Sequence, residues 1–299
     1  MGPEVLERAL PSFLDSSEGA EFEAIVLGAS ENISPPVNSR ISTVSVGDFD
    51  GTPQSAGRIS LDAIVHAVEL ASTGEVDAVV TGPVHKPSLH AAGHTVPGQT
   101  EFLQELTGAP TVGMLMHAEG TRIGDAPLRI LLATTHLPLR EVADRVTTRL
   151  LLDQIRLLDE ALKGRWRIPV PKIGLCGLNP HASDRGLFGD EEATIMEPVV
   201  RELQAEGREV VGPLPADTIF LRAVDGTLDA VVSPYHDVGM AVFKTLAFGR
   251  GVNTTLGLPF PRTSPDHGTA FDLAGKGLAD AGSTLEALRL AARLARPRL

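Results

Sequence analysis

Short apolar runs alternate with longer amphipathic segments along the whole chain, and this pattern restricts the fold more than any other feature. The alternation is typical of an α/β protein with a largely parallel sheet. Several runs are polar only at their edges, as expected for strands that are buried on both faces. We predict six strands, at Ala24–Leu27, Ala78–Thr81, Val112–Leu115, Ile130–Ala133, Ile173–Cys176 and Ala230–Ser233.

Three segments between the strands have helical signals. Apolar residues recur at helical spacing from Val142 to Leu162, which predicts a helix there. Another helix is predicted to open at Asp190–Glu192, and Pro198 should kink or shorten it. Ser283 and Glu286 have the spacing of a capping box and predict the start of the last helix.

Composition excludes several classes of function. The 299 residues carry a net charge of −12, which argues against a nucleic-acid-binding protein and requires local cations for any anionic substrate. The single cysteine, Cys176, cannot form an intramolecular disulfide, and we expect it to be a packed core thiol in a reducing compartment. No apolar run approaches the roughly 20 residues that cross a bilayer. The N-terminus has no signal core, so we expect a soluble, cytoplasmic protein without membrane contact.

Three histidines occupy equivalent places in the predicted sheet. His136, His181 and His236 each lie a few residues beyond the C-terminal end of a predicted strand. Open α/β sheets bind their ligands at this edge, and three imidazoles could hold Zn²⁺ or a similar divalent ion there. Any one of these histidines could instead cap a loop or pack against a helix, although the shared place of all three favours a common site. Their separations along the chain are too long for a local metal motif and do not decide between the two interpretations.

Polar and cationic residues in loops form two further candidate groups. Lys244, Asn253 and Arg262 could together bind a phosphate or carboxylate, although each alone is more often a solvated surface residue. Gln99 and Thr100 offer neutral hydrogen bonds, but Thr100 could also be a helix N-cap.

The small-residue segment 266–275 lacks the Gly-x-Gly-x-x-Gly pattern of an ordinary Rossmann nucleotide site. From its residues alone, this segment is interpreted as a turn.

Five motifs together carry a resemblance to a known family. They are Thr-Gly-Pro-Val-His-Lys, Ala-Thr-Thr-His-Leu-Pro-Leu, Gly-Leu-Asn-Pro-His-Ala, Gly-Pro-Leu-Pro-Ala-Asp-Thr and Asp-His-Gly-Thr-Ala. Over nearly its whole length the chain resembles the 4-hydroxythreonine-4-phosphate dehydrogenase family of vitamin B6 synthesis. The resemblance implies a two-lobed α/β/α fold like that of isocitrate and isopropylmalate dehydrogenases. Residues 1–103 and 251–299 would form one lobe, 104–250 would form the other with the metal ligands and dimer contacts, and the active site would lie in the cleft.

The resemblance also implies roles for individual residues. His136, His181 and His236 would be the metal ligands, one of them supplied by the partner subunit of a homodimer whose active site is shared. The substrate-binding positions would be Gln99, Thr100, Asp217, Lys244, Asn253 and Arg262. The cofactor-binding positions would be His267, Gly268, Thr269, Ala270 and Asp272.

The implied activity is an oxidation that depends on NAD or NADP and on a divalent metal such as Zn, Mg or Co. The hydroxyl of 4-phosphohydroxy-L-threonine, or of a closely related 4-phosphorylated hydroxy acid, would be oxidised and the product then decarboxylated. The family motif Gly-His-Thr-Glu reads Gly-Gln-Thr-Glu here, and the Gln99 amide cannot carry the charge of an imidazolium. D-Threonate or D-erythronate 4-phosphate and an aromatic dihydrodiol therefore stay open as substrates.

The N-terminus is a second departure from the family pattern. Only Gly2, Pro3 and Glu4 remain of the family's first strand–turn–helix, and we favour an upstream start codon over a genuine truncation. A lyase or hydrolase that uses the metal without a cofactor, and a non-catalytic binding protein, are the remoter alternatives.

Overall fold

The computed structural model describes residues 2–30, 38–95 and 98–295. The chain divides into two compact units, Met1–Pro110 with Leu258–Leu299 (unit 1) and Thr111–Gly257 (unit 2). The α-helices are α1 Gly2–Leu14, α2 Pro53–Thr73, α3 Lys86–Ala91, α4 Gln99–Thr107, α5 Leu139–Arg145, α6 Thr148–Gly164, α7 Glu197–Ala205, α8 Ala216–Val224, α9 His236–Ala247 and α10 Gly282–Ala295. The strands are β1 Ala24–Gly28, β2 Ile41–Ser45, β3 Val79–Val80, β4 Gly113–Ala118, β5 Leu128–Leu132, β6 Lys172–Cys176, β7 Glu209–Leu214, β8 Ala230–Ser233, β9 Val252–Leu256 and β10 Arg262–Pro265.

Unit 2 is built on strands in the order β9-β4-β5-β8-β6-β7. Strands β5, β8, β6 and β7 are parallel to one another, whereas β4 is antiparallel to both β5 and β9. The prediction of a largely parallel sheet is therefore confirmed, with β4 as an antiparallel strand within it. The reason is local, because the loop 119–127 between β4 and β5 is too short for the crossover that parallel neighbours need.

Helices cover both faces of this sheet. Along β5, Leu131 packs with residues of α6 and α7, whereas Ile130 and Leu132 pack with residues of α8 and α9. This alternation is the two-residue period of a strand, here apolar on both sides. The predicted α/β/α layering is confirmed in unit 2. Cys176 is fully buried, as predicted for a core thiol, and burial raises its pKa to about 12.

Helix α9 lies directly on the sheet because Gly239 faces it. A Cβ at this position would lie 2.6 Å from Leu132 Cδ2 and 3.0 Å from Ile130 Cγ2. The close approach places His236, the first residue of α9, just beyond the end of β8.

Unit 1 contains two parallel strand pairs, β1 with β2 and β3 with β10. Helices α1 and α10 share a core of Leu10, Phe13, Leu14 and Ala292. In the second pair Arg262 is the register partner of Val79 and Thr263 that of Val80, so both strands begin side by side.

All six predicted strands are present, with ends that shift by a few residues. The prediction of one helix from Val142 to Leu162 is wrong. Val146 takes an extended conformation, and Thr147 caps a new helix by accepting a hydrogen bond from the Leu150 N–H at 3.2 Å. Four strands, β2, β7, β9 and β10, were not predicted.

Two helices begin within a residue of their predicted starts. A single π-helical turn at Glu192–Met196 leads without a break into α7, and Pro198 lies in the first turn of α7. The predicted effect of Pro198 on the helix stays a prediction. Helix α10 begins at Gly282, and the Ser283 hydroxyl accepts a hydrogen bond from the Asp266 N–H and donates one to Asp266 Oδ1. Within the described ranges, no helix combines the length and the apolar character needed to cross a membrane.

Candidate active site

The loops after β5 and β8 are joined, and they carry two of the three candidate histidines. The Thr134 N–H and hydroxyl both donate to the Pro234 carbonyl oxygen, at 3.2 and 2.8 Å. As a result the His136 and His236 rings lie with their centroids 5.7 Å apart. His136 has a positive φ of 25°, a conformation that L-residues rarely adopt and that is often found at functional sites.

The separation of these two rings fits a shared metal ion. A metal–nitrogen bond of about 2.0–2.1 Å puts each ring centroid roughly 3 Å from the ion, so two rings on one tetrahedral ion lie roughly 5–6 Å apart. His236 Nδ1 lies 2.7 Å from Asp237 Oδ1. Because a carboxylate can only accept, Nδ1 carries the proton and the lone pair is left on Nε2.

His181 is not part of this pair. It is exposed on the turn Pro180–Asp184, where its nearest ring is Phe188 at 6.4 Å. In the part of the chain that the structure describes, no group of three His, Cys, Asp or Glu side chains is arranged to hold a metal ion. One copy of the chain therefore brings together two of the three predicted ligands.

Unit 1 holds a buried arginine in a fixed orientation. Arg262 is 2% exposed, and its Nη2 donates to Thr81 Oγ1 at 2.6 Å and to Gln99 Oε1 at 2.7 Å. Gln99 Nε2 in turn donates to the Gly82 carbonyl oxygen at 3.0 Å. Burial lowers the pKa of Arg262 to about 10, so the guanidinium is still charged at neutral pH. The Thr81 hydroxyl and the Gln99 amide are neutral acceptors.

The remaining predicted substrate residues are divided between the two units. Thr100 lies in the first turn of α4, whose N-cap is Gly98, so the alternative of Thr100 as N-cap is wrong. In unit 2, the Lys244 ammonium lies 5.8 Å from the Phe248 ring centroid. The other two are Asn253 on β9 and the exposed Asp217 in the first turn of α8.

The predicted cofactor residues share one loop of unit 1. They are His267, Gly268, Thr269, Ala270 and Asp272. Phe271, between the last two, is 63% exposed and meets His85 edge to face, with centroids 4.8 Å apart. Farther along, the Gly275 N–H donates to Glu4 Oε1 at 2.7 Å.

Sequence reasoning missed two residues that orient the candidate groups. Asp237 could have been found, since it directly follows a predicted ligand. Thr81 could not, because it meets Arg262 across 181 positions of the chain and no sequence pattern pairs them.

Comparison with known proteins decides the family. Residues 4–291 match the family described as pyridoxal phosphate biosynthetic protein PdxA. The chain belongs to the PdxA family. It is 48% identical over 239 residues to a 4-hydroxythreonine-4-phosphate dehydrogenase of Chromobacterium violaceum, which covers 80% of this chain and 71% of that protein. The resemblance drawn from the five motifs is confirmed.

Solved structures of similar proteins extend the agreement to the fold. A 4-hydroxythreonine-4-phosphate dehydrogenase from Burkholderia phymatum is 37% identical with a TM-score of 0.79, covering 99% of this chain and 95% of its own. A terephthalate 1,2-cis-dihydrodiol dehydrogenase from Burkholderia xenovorans is 28% identical with a TM-score of 0.67, covering 98% and 94%. The predicted α/β fold class is confirmed.

Proposed function

We propose that this PdxA-family chain is an NAD(P)- and divalent-metal-dependent dehydrogenase. Its substrate would be 4-phosphohydroxy-L-threonine or a closely related 4-phosphorylated hydroxy acid, and decarboxylation would follow oxidation of the hydroxyl. The observation that supports this most directly is the His136–His236 pair at the C-terminal edge of the sheet, at a separation suited to one metal ion. We place the reaction in the cytoplasm, in keeping with a single, buried thiol.

The imidazole pair would supply two of the metal ligands, and the exposed His181 of a second copy would supply the third. This arrangement makes the enzyme a homodimer with a shared site. A bound divalent ion lowers the pKa of a coordinated hydroxyl and polarises a carbonyl oxygen. Asp237 holds the His236 tautomer that presents Nε2.

Arg262 would bind the anionic end of the substrate. Its guanidinium is oriented before substrate arrives, which reduces the ordering cost of binding. Lys244, Asn253, Asp217 and Thr100 are the further substrate contacts that we propose. The loop 267–272 would contact the nicotinamide cofactor, NAD or NADP.

Gln99 favours a second candidate substrate class. Both ends of its amide already bond to protein groups, Arg262 and Gly82, and the amide adds no charge to the site. D-Threonate or D-erythronate 4-phosphate, or an aromatic dihydrodiol as in the Burkholderia xenovorans relative, is therefore the second candidate. The buried Arg262 guanidinium favours the candidate substrates that carry an anionic group.

The test is reduction of NAD⁺ and NADP⁺ at 340 nm with 4-phosphohydroxythreonine, threonate and erythronate 4-phosphates and an unphosphorylated dihydrodiol, before and after chelation. We expect metal-dependent reduction with one anionic substrate. Losing a residue that orients a metal ligand typically weakens metal binding by about 10–100-fold. His236→Ala removes a ligand itself, so it should weaken metal binding by more than this and abolish turnover. His66→Ala, on the surface of α2, is the matched control. Turnover that survives in His236→Ala would contradict the metal assignment, and metal binding without any cofactor reduction would favour a non-catalytic protein.

A further inference from the structure

The turn that carries His181 has an unusual backbone. From His181 to Arg185, five consecutive residues have positive φ angles of 55°, 52°, 71°, 42° and 59°, and none of them is glycine. L-residues avoid this left-handed region because Cβ approaches the following carbonyl oxygen. Such a turn persists only where its surroundings hold it.

A buried carboxylate holds the chain where it enters the turn. Glu192 is 2% exposed, and its Oε1 accepts the N–H groups of Leu178 at 2.8 Å and Asn179 at 2.7 Å. Glu192 Oε2 accepts the Asn179 side-chain amide at 2.9 Å. Three donors therefore satisfy this buried charge, and charge-assisted bonds of this kind are the stronger ones.

Residues after the turn also contact Asn179. Asn179 Nδ2 also donates to Glu191 Oε2 at 2.7 Å, and the Ser183 hydroxyl donates to the Gly189 carbonyl oxygen. A Cβ at Gly189, where φ is +129°, would lie 2.7 Å from Asn179 Nδ2. Asn179 is thus enclosed by the turn that follows it.

The position of Glu192 in its helix is itself irregular. It opens the single π-helical turn that precedes α7. Wide turns of this type are rare and are often found at functional sites, because they redirect a side chain.

We infer that Glu192 is a positioning residue for His181. Its carboxylate, through Asn179 and the backbone before the turn, holds the left-handed segment and with it the direction of the imidazole. The metal role of His181 rests on the proposed function, whereas the hold of Glu192 on the turn does not.

The central variant is Glu192→Gln in the full-length protein. The glutamine oxygen can still accept the two backbone N–H groups, but its amide faces the Asn179 amide, donor against donor. Glu192→Asp keeps the charge and shortens the reach, so it should be intermediate. Glu197→Gln, an exposed carboxylate of α7 paired with Arg201, is the matched control.

Two readouts separate positioning from general stability. In metal-free protein, amide hydrogen exchange over residues 181–188 should become at least about 10-fold faster in Glu192→Gln, with β6 unchanged. Zn²⁺ or Co²⁺ affinity by calorimetry should fall about 10–100-fold, as for other residues that orient a metal ligand. In a His181→Ala background, Glu192→Gln should weaken metal binding no further.

The possible results distinguish a failure of the Glu192 inference from a failure of the proposed function. Unchanged exchange in Glu192→Gln would overturn the inference, and so would faster exchange with unchanged metal affinity. Additive losses in the double variant would show that Glu192 does not act through His181. Wild-type protein that binds no metal would instead contradict the proposed function, and exchange alone would then decide whether Glu192 holds the turn.

Discussion

The Arg262 guanidinium of unit 1 and the imidazole pair of unit 2 are held in opposite ways. Arg262 is 2% exposed and bonded to two neutral acceptors from other segments. His136 is exposed, and the His236 side chain is 37% exposed with a bond to its sequence neighbour Asp237. A buried cation must be oriented by the fold, because it has lost its hydration. Imidazoles that take a metal from solvent must stay accessible.

Among substitutions of the groups that surround the imidazole pair and of Arg262 and its partners, the largest effect should come from removing the buried cation. Arg262→Met should raise the KM for an anionic substrate by about 100-fold, since losing a buried charged partner typically costs 2–5 kcal/mol. We expect Tm not to fall, because burial already disfavours the charged form and lowers its pKa to about 10. Steady-state kinetics and a thermal melt measure both quantities.

The matched control for this substitution is Arg58→Met, at an exposed position of α2. It should leave KM within twofold of wild type. A KM for Arg262→Met equal to that of this control would remove the arginine from the substrate site.

A smaller effect is expected in unit 2 from Asp237→Asn. Without the carboxylate the His236 tautomer is no longer fixed, and metal affinity should fall about 10-fold, the low end for an outer-shell partner, since Asp237 is exposed. Metal titration by calorimetry tests this, with the exposed Asp144→Asn as control. Equal metal affinities in Asp237→Asn and Asp144→Asn would show that the His136–His236 pair needs only solvent access, and not the Asp237 carboxylate, to bind a metal.

The smallest effect should come from Thr81→Val. Losing one neutral hydrogen bond of about 0.5–1.5 kcal/mol should raise KM two- to tenfold, with metal affinity unchanged. Thr81→Ser keeps the hydroxyl and should restore KM. A loss of metal affinity in Thr81→Val would contradict the contrast drawn above, because the Arg262 guanidinium and the imidazole pair would then not be independent.

The four predicted strands of unit 2, β4, β5, β6 and β8, could be predicted because both faces of this sheet are covered by helices and the strands are therefore largely apolar. Strands β9 and β10 were missed, since polar residues such as Asn253, Arg262 and Thr263 interrupt them. The break at Val146–Thr147 was also missed, because apolar spacing continues across it and only the cap of α6 ends the helix.

Some features of the candidate site could likewise be predicted from the sequence, and others could not. The places of His136 and His236 followed from strand ends, since parallel strands bring their carboxyl ends to one edge. The separation of their rings and the lone position of His181 depended on the loops, which sequence periodicity does not describe.

By itself, the sequence determined the α/β class, the PdxA family and the chemical types of the candidate ligands. These follow from hydrophobic period and local motifs, which are properties of neighbouring residues. Only the tertiary structure decided that Arg262 is buried against Thr81 and Gln99, and that Glu192 holds the turn of His181. Burial and hydrogen-bond partners across long sequence separations arise when remote segments pack, and no single segment encodes them.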